Sequence, residues 1–170
     1  IDGIPQGQED PEVLDIQTVD IDQVRKGMFA VVNEKKGTAY ASRIDDKNMI
    51  MAGKTGTSQV RQISTEERAA GIVKNADLPW DRRDHALFVG YAPFDNPRYA
   101  VAVIVEHGGG GSSVAAPIAR DVMMRALYGD VPPLSAYPAA ERNRIRGERE
   151  RIEAAERLGI SAPTQRGDNL

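Results

Sequence analysis

Apolar residues recur along this chain with two different periods. Ile21, Val24, Met28, Val31 and Val32 fall at helical spacing. Asp20 reads as their N-cap, with Gln23 three residues on as in a capping box. Lys35 and Lys36 suit a helix C-terminus, and Gly37 is a natural stop. The spacing predicts a helix from about 20 to 35. The stretch "MAGKTGTSQV", residues 51–60, changes period: Thr55, Thr57 and Val60 alternate, which predicts a strand. "HALFVGYAPF" (85–94) and "RYAVAVIVEH" (98–107) are apolar on alternate positions of both faces. They read as two strands covered on two sides. The turn chemistry of Asp95-Asn96-Pro97 joins them into an antiparallel hairpin.

Helical spacing returns at Val114, Ile118, Val122, Met123 and Leu127. Pro117 is acceptable only in a first turn, so this helix starts near 113–116, with Ser112 or Ser113 as its cap, and Gly129 ends it. Residues 61–84 form a long polar connection in which 66–74 can make one or two helical turns, and Trp80 reads as a cap over the site or, preferably, as an anchor for the loop. Residues 1–17, acidic and rich in Pro, Gly and Gln, read as an approach segment. From Pro132 the chain is broken by prolines, and residues 141–157 hold six Arg and five Glu with only a thin apolar stripe at Ile145, Ile152 and Leu158. That pattern predicts a solvated, frayed helix followed by a disordered end. The expected division is therefore one domain over 1–131 and a charged tail over 132–170. A set of two helices and about three strands leaves a sheet edge unpaired.

Composition narrows the chemistry. The 170 residues suffice for one core, and the net charge of −3 gives no basic field for nucleic acid. No cysteine is present, which excludes disulfides, thiolate metal sites and a cysteine nucleophile. With only His85 and His107, a histidine zinc site is not expected either, and both histidines read as structural or surface residues. No cofactor is called for. The longest apolar run, 99–105, is strand-sized and cannot span a bilayer.

Gly53-Lys54-Thr55 could end a phosphate-binding loop. That loop needs a glycine five residues before Gly53, where Asn48 stands, and it must open a helix rather than a strand. "GGGGSSVAAPIAR" (108–120) offers no lysine and reads as a flexible link into a helix. A nucleotide-binding module is thus a weak third reading.

Shifted by one, Lys54-Thr55-Gly56 is the K-T-G triplet of serine acyl-transfer enzymes. "RKGMFAVVNEKKGTA", "AGKTGTSQV", "DHALFVGYAPFDNPRYAVAVIVEHGGGG" and "AAPIARDVM", in unbroken order from about Val24 to Leu127, resemble the class B penicillin-binding proteins. The resemblance implies an α/β (α+β) fold: the C-terminal part of a serine β-lactamase/transpeptidase-like domain, an antiparallel sheet covered by helices. It implies a peptidoglycan D,D-transpeptidase that cross-links stem peptides in cell-wall elongation through a serine acyl-enzyme and is acylated by β-lactams. It also implies a parent held at the periplasmic face of the inner membrane by an N-terminal helix outside this chain. The implied partners are peptidoglycan stem peptides, β-lactams and cell-elongation membrane proteins such as a glycosyltransferase.

By the same resemblance, Thr57 supplies a backbone N–H to the oxyanion, and Lys54 assists proton transfer and attracts the substrate carboxylate. Thr55 and Thr57 offer it hydroxyls, and Gly56 permits close approach. The family's nucleophile sits in S-x-x-K and a second serine in S-x-N or S-x-D. None of the serines 42, 58, 64, 112, 113, 135 and 161 has Lys three on, or Asn or Asp two on. The chain alone is therefore expected not to acylate. The competing class is a non-catalytic β-lactam sensor or scaffold of the same fold.

Overall fold

The computed structural model describes residues 16–159. The readings of the approach segment before Ile16 and of a disordered end beyond Gly159 lie outside them. The order is helix α1 (Thr18–Asn33), strand β1 (Ala52–Ser58), helix α2 (Thr65–Ala70), strands β2 (His85–Ala92) and β3 (Tyr99–Val105), helix α3 (Ala116–Tyr128) and helix α4 (Arg142–Arg157).

Local chemistry explains most boundaries and corrects several expected ones. α1 starts at Thr18 after Gln17, not at Asp20, and no side chain caps it; Asp20 lies in its first turn, where a negative charge favours the helix dipole. It stops at Asn33, so Lys35 and Lys36 lie past its end. Asn33 Nδ2 donates to Phe29 O and to Met51 O, which ties the helix end to the lead into β1. α2 is capped by Ser64, whose hydroxyl accepts from the Glu67 N–H. α3 is preceded by a π-helical turn over Gly111–Ala115, and neither Ser112 nor Ser113 caps it; Ser113 donates instead to Gly110 O at 3.2 Å. Gly129, left-handed at φ 69°, ends it as expected.

The sheet order is β1-β2-β3, antiparallel throughout. Register fixes the faces. Thr55, Phe88 and Val103 lie side by side on one face, and Lys54, Val89 and Ala102 on the other. The Phe88 face is the core side: Phe88, Met51, Met123, Met124 and Val32 are fully enclosed. Burial of a side chain such as Phe88 is worth about 1.5–3 kcal/mol.

The opposite face is bare in its middle. Val89 is 48% exposed and Ile104 67%. The expectation that β2 and β3 are covered on both sides is therefore not met among the described residues. A strand apolar on both faces records the surface it is suited to bury, and these residues supply cover for one face only. β1 and β3 each pair on one side, leaving two open edges among the described residues.

The proline-rich segment after 131 stays on the body. Pro132, Ala136, Tyr137 and Ile145 are buried. Arg120 of α3 is the largest fully enclosed side chain, pairing with Asp121 at 2.9 Å and Glu141 at 3.6 Å. Its guanidinium lies 5.1 Å from the Tyr137 ring, and that of Arg149 lies 5.5 Å from the same ring. Arg149 donates to Pro132 O, and Arg142 to Tyr137 O and Ser135 O. Arginine heads thus satisfy the carbonyls of a segment that prolines keep out of regular structure. Beyond Arg149, α4 is almost wholly exposed.

Candidate active site

The K-T-G triplet occupies β1 as expected, at an open edge of the sheet. The direction of its backbone groups follows from a glycine elsewhere. A Cβ on Gly111 would run into both Gly56 O and Leu87 O. Gly56 and Leu87 are register partners, so their carbonyls point at each other's strand. That happens where two residues exchange both N–H···O bonds. Their neighbours must alternate. Thr55 and Thr57 therefore turn their N–H and C=O groups away from β2, toward the open edge. Lys54 Nζ confirms the direction by reaching around to donate to Thr55 O at 2.7 Å.

The side chains divide between faces. Lys54 and Gly56 lie on the bare face, and Thr55 and Thr57 on the other. Lys54 and Thr57 are exposed, and Thr55 and Gly56 half-buried. An anion at the strand edge would meet the lysine from one side and the hydroxyls from the other.

Glycines build the back of this edge. Gly109 N donates to Asp84 O at 2.8 Å, and Gly111 sits on the β1–β2 pair where a side chain has no room. The sequence showed "GGGG" only as a flexible link; its contact with Gly56 joins residues 55 positions apart and leaves no local signal.

The 59–84 connection is anchored at its far end by aromatic contacts. The Trp80 and His107 rings lie 4.3 Å apart, and those of His85 and His107 4.8 Å. The His107 N–H donates to His85 Nδ1, and His107 Nδ1 faces Arg83 O at 2.9 Å. A carbonyl only accepts, so His107 carries a proton on Nδ1. Both histidines are engaged in structural contacts. Closer to β1, Arg61 grips Glu67 through two bonds of 2.6 Å, and that hydrogen-bonded pairing holds the Glu67 carboxyl below its usual range. The connection encloses a cavity of about 330 Å³ bordered by Gln59, Arg61, Ile63, Val73, Leu78 and Asp84. Among the described residues no group of His, Asp or Glu could hold a metal ion.

One contact was not foreseen. Thr38 Oγ1 lies 2.9 Å from Thr55 Oγ1. The only sequence signal was the "KKGTA" turn after α1, residues 35–39.

The penicillin-binding protein transpeptidase domain matches residues 4–124, well over half of the chain, and the chain belongs to that family. Its relatives point to the penicillin-binding protein 2 branch. Peptidoglycan D,D-transpeptidase MrdA of Haemophilus influenzae is 39% identical over 150 residues, covering 85% of this chain and 22% of the relative. MrdA of Escherichia coli K12 is 34% identical over 122 residues, 71% of this chain and 18% of the relative.

Among solved structures, Pseudomonas aeruginosa PBP2 in complex with WCK 5153 superposes with a TM-score of 0.52 at 36% identity, covering 82% of this chain and 26% of that one. PBP2 in complex with MreC from Helicobacter pylori gives 0.52 at 32% identity, over 69% and 18%. The chain spans about a fifth of the length of these curated relatives.

Proposed function

We propose that this chain is the K-T-G-bearing part of a peptidoglycan D,D-transpeptidase of the penicillin-binding protein 2 type. Its edge strand forms one wall of the acyl-transfer cleft. The observation that carries this reading is the Thr57 N–H turned to the open edge of β1. A serine attacking the penultimate D-Ala carbonyl creates an oxyanion, and fixed N–H donors stabilise it; loss of one such donor costs about 10²–10³ in rate. The Thr57 N–H is one donor. Lys54 brings positive charge to the terminal carboxylate and to proton transfer toward the leaving amine. The Thr55 and Thr57 hydroxyls bind that carboxylate, and Gly56 keeps the wall low. Acyl transfer of this kind needs no metal or cofactor.

The S-x-x-K serine is not in this chain, so the acyl-enzyme forms on a residue elsewhere in the parent protein. The bare Val89–Ile104 face supports this: it is apolar and fits cover from the remainder of the same domain. The parent, by likeness to its relatives, works at the periplasmic face of the inner membrane on stem peptides. It is inhibited there by β-lactams and works with cell-elongation proteins; one relative was solved together with MreC. No helix among the described residues is long and apolar enough to cross a membrane.

Incubation with a fluorescent penicillin tests the reading. The full-length parent takes up covalent label and this chain alone takes up none. Label on the chain alone, or a parent with intact S-x-x-K that stays unlabelled, contradicts it.

A further inference from the structure

We propose that Thr38 is a positioning residue for the carboxylate subsite: it donates its hydroxyl proton to Thr55 and so points the Thr55 O–H at the bound anion. The inference rests on the reading of Thr55 as a carboxylate-binding hydroxyl.

Thr38 follows α1 in a turn with little freedom. Gly37 N donates to Glu34 O at 2.8 Å, Ala39 N to Val31 O at 3.0 Å and Tyr40 N to Gly37 O at 3.1 Å. A Cβ on Gly37 would lie on the carbonyls of Val31 and Ala30, so the turn closes this tightly only with glycine. α1 in turn is fixed to the β1 lead by Asn33 on Met51 O. Thr38 is thereby held against Thr55, the one hydroxyl-bearing side chain of the K-T-G triplet.

A threonine hydroxyl has one proton to give and two lone pairs to receive. In the 2.9 Å Thr38–Thr55 contact either oxygen can be the donor. If Thr55 donates to Thr38, it presents only lone pairs to a carboxylate and repels it. If Thr38 donates, the Thr55 proton is free for the anion, and the received bond polarises Thr55 as a donor. An anionic ligand therefore selects the second arrangement. Thr38 touches no reacting atom; it acts through Thr55.

The test is a double-mutant cycle in the full-length parent, read as saturable acylation by benzylpenicillin and by its carboxyl methyl ester. A neutral hydrogen bond is worth roughly 0.5–1.5 kcal/mol, which is a loss of about 2- to 13-fold. Thr38→Val is expected to weaken binding of the free acid by that factor with little change in the limiting rate. It should leave the ester unaffected, and Thr38→Ser should restore binding. Thr38→Val/Thr55→Val should be no worse than Thr55→Val alone. Thr38→Ala serves as a second hydroxyl-free variant should Thr38→Val fold poorly. Multiplying losses, an equal loss with the ester, or Thr38→Val at the wild-type level beside an impaired Thr55→Val would overturn this inference alone. Thr55→Val at the wild-type level would overturn the carboxylate role of Thr55 itself.

Discussion

Tyr128, in the last turn of α3, donates its hydroxyl to Oδ2 of Asp46, in the turn that leads to β1. The bond closes a loop of 82 residues and ties the covering helix to the chain entering the K-T-G strand. The same turn receives the tail: Asp45 N donates to Ala136 O at 2.8 Å, and Arg142 lies 3.6 Å from the Asp45 carboxylate. Residues 43–46 are thus a junction between the strand, α3 and the segment after it.

Removing the Tyr128 hydroxyl leaves Oδ2 of a partly buried carboxylate without its donor, while Oδ1 still accepts from the Asn48 N–H. Tyr128→Phe should destabilise the protein by about 1–3 kcal/mol, measured by urea unfolding. The effect has a pH signature. Burial first, then the bond to Asp46 and its negative charge, raise the Tyr128 pKa above its ordinary value. A pKa raised in the folded state contributes stability that is complete below the unfolded value and declines as pH rises toward the folded one. The gap between wild type and Tyr128→Phe should stay constant to about pH 10 and shrink above it.

Gly111→Ala puts a methyl group onto Gly56 O and Leu87 O, neither of which can move without opening the β1–β2 pair. Overpacking of this kind costs about 1–3 kcal/mol. Thermal unfolding should register the loss. Acylation of the parent by β-lactams should fall further than stability does, because the displaced backbone is the one that aims the Thr57 N–H.

Arg120 fills enclosed space between α3 and Tyr137, and one of its guanidinium nitrogens, Nη2, has no hydrogen-bond partner among the described residues. Its value is packing more than pairing, since Asp121 and Glu141 remain partly exposed. Arg120→Ala should cost about 2–5 kcal/mol, as for other large-to-small changes, and Arg120→Met much less. Equal losses for the two in denaturant titrations would show that the charge matters more than the volume.

Glu141 accepts from Arg144, and this bond, more than the charges of Arg144 and Arg120, lowers its pKa. A depressed carboxyl stabilises above its unfolded pKa and loses that contribution as pH falls through the folded value. Protection factors against hydrogen exchange over 132–149 should therefore fall below about pH 4.5, ahead of those in β2.

Much of the fold was legible because its signals are local. The α1 periodicity, the Asp95–Pro97 turn, Pro117 near a helix start and Gly129 at a helix end each act within a few residues, and each marks an element seen in the structure. The K-T-G strand was legible for the same reason. The contacts that shape the candidate site were not. Gly111 on Gly56, Thr38 on Thr55 and Tyr128 on Asp46 join distant positions, and no spacing rule carries them. The tail was read as solvated because arginine and glutamate dominate it. Beyond Arg149 it is almost wholly exposed, but Arg142 and Arg149 satisfy carbonyls and Arg149 lies over the Tyr137 ring, a use of charge that composition does not reveal.

The rate at which the full-length parent is acylated by benzylpenicillin, with and without Lys54→Ala, tests the central claim most directly. The K-T-G strand as cleft wall predicts that Lys54→Ala lowers the second-order rate by about 10²-fold or more, on the scale of losing one electrostatic stabiliser, with the thermal midpoint unchanged because Lys54 is exposed. A Lys54→Ala protein that folds and acylates at the wild-type rate would contradict it.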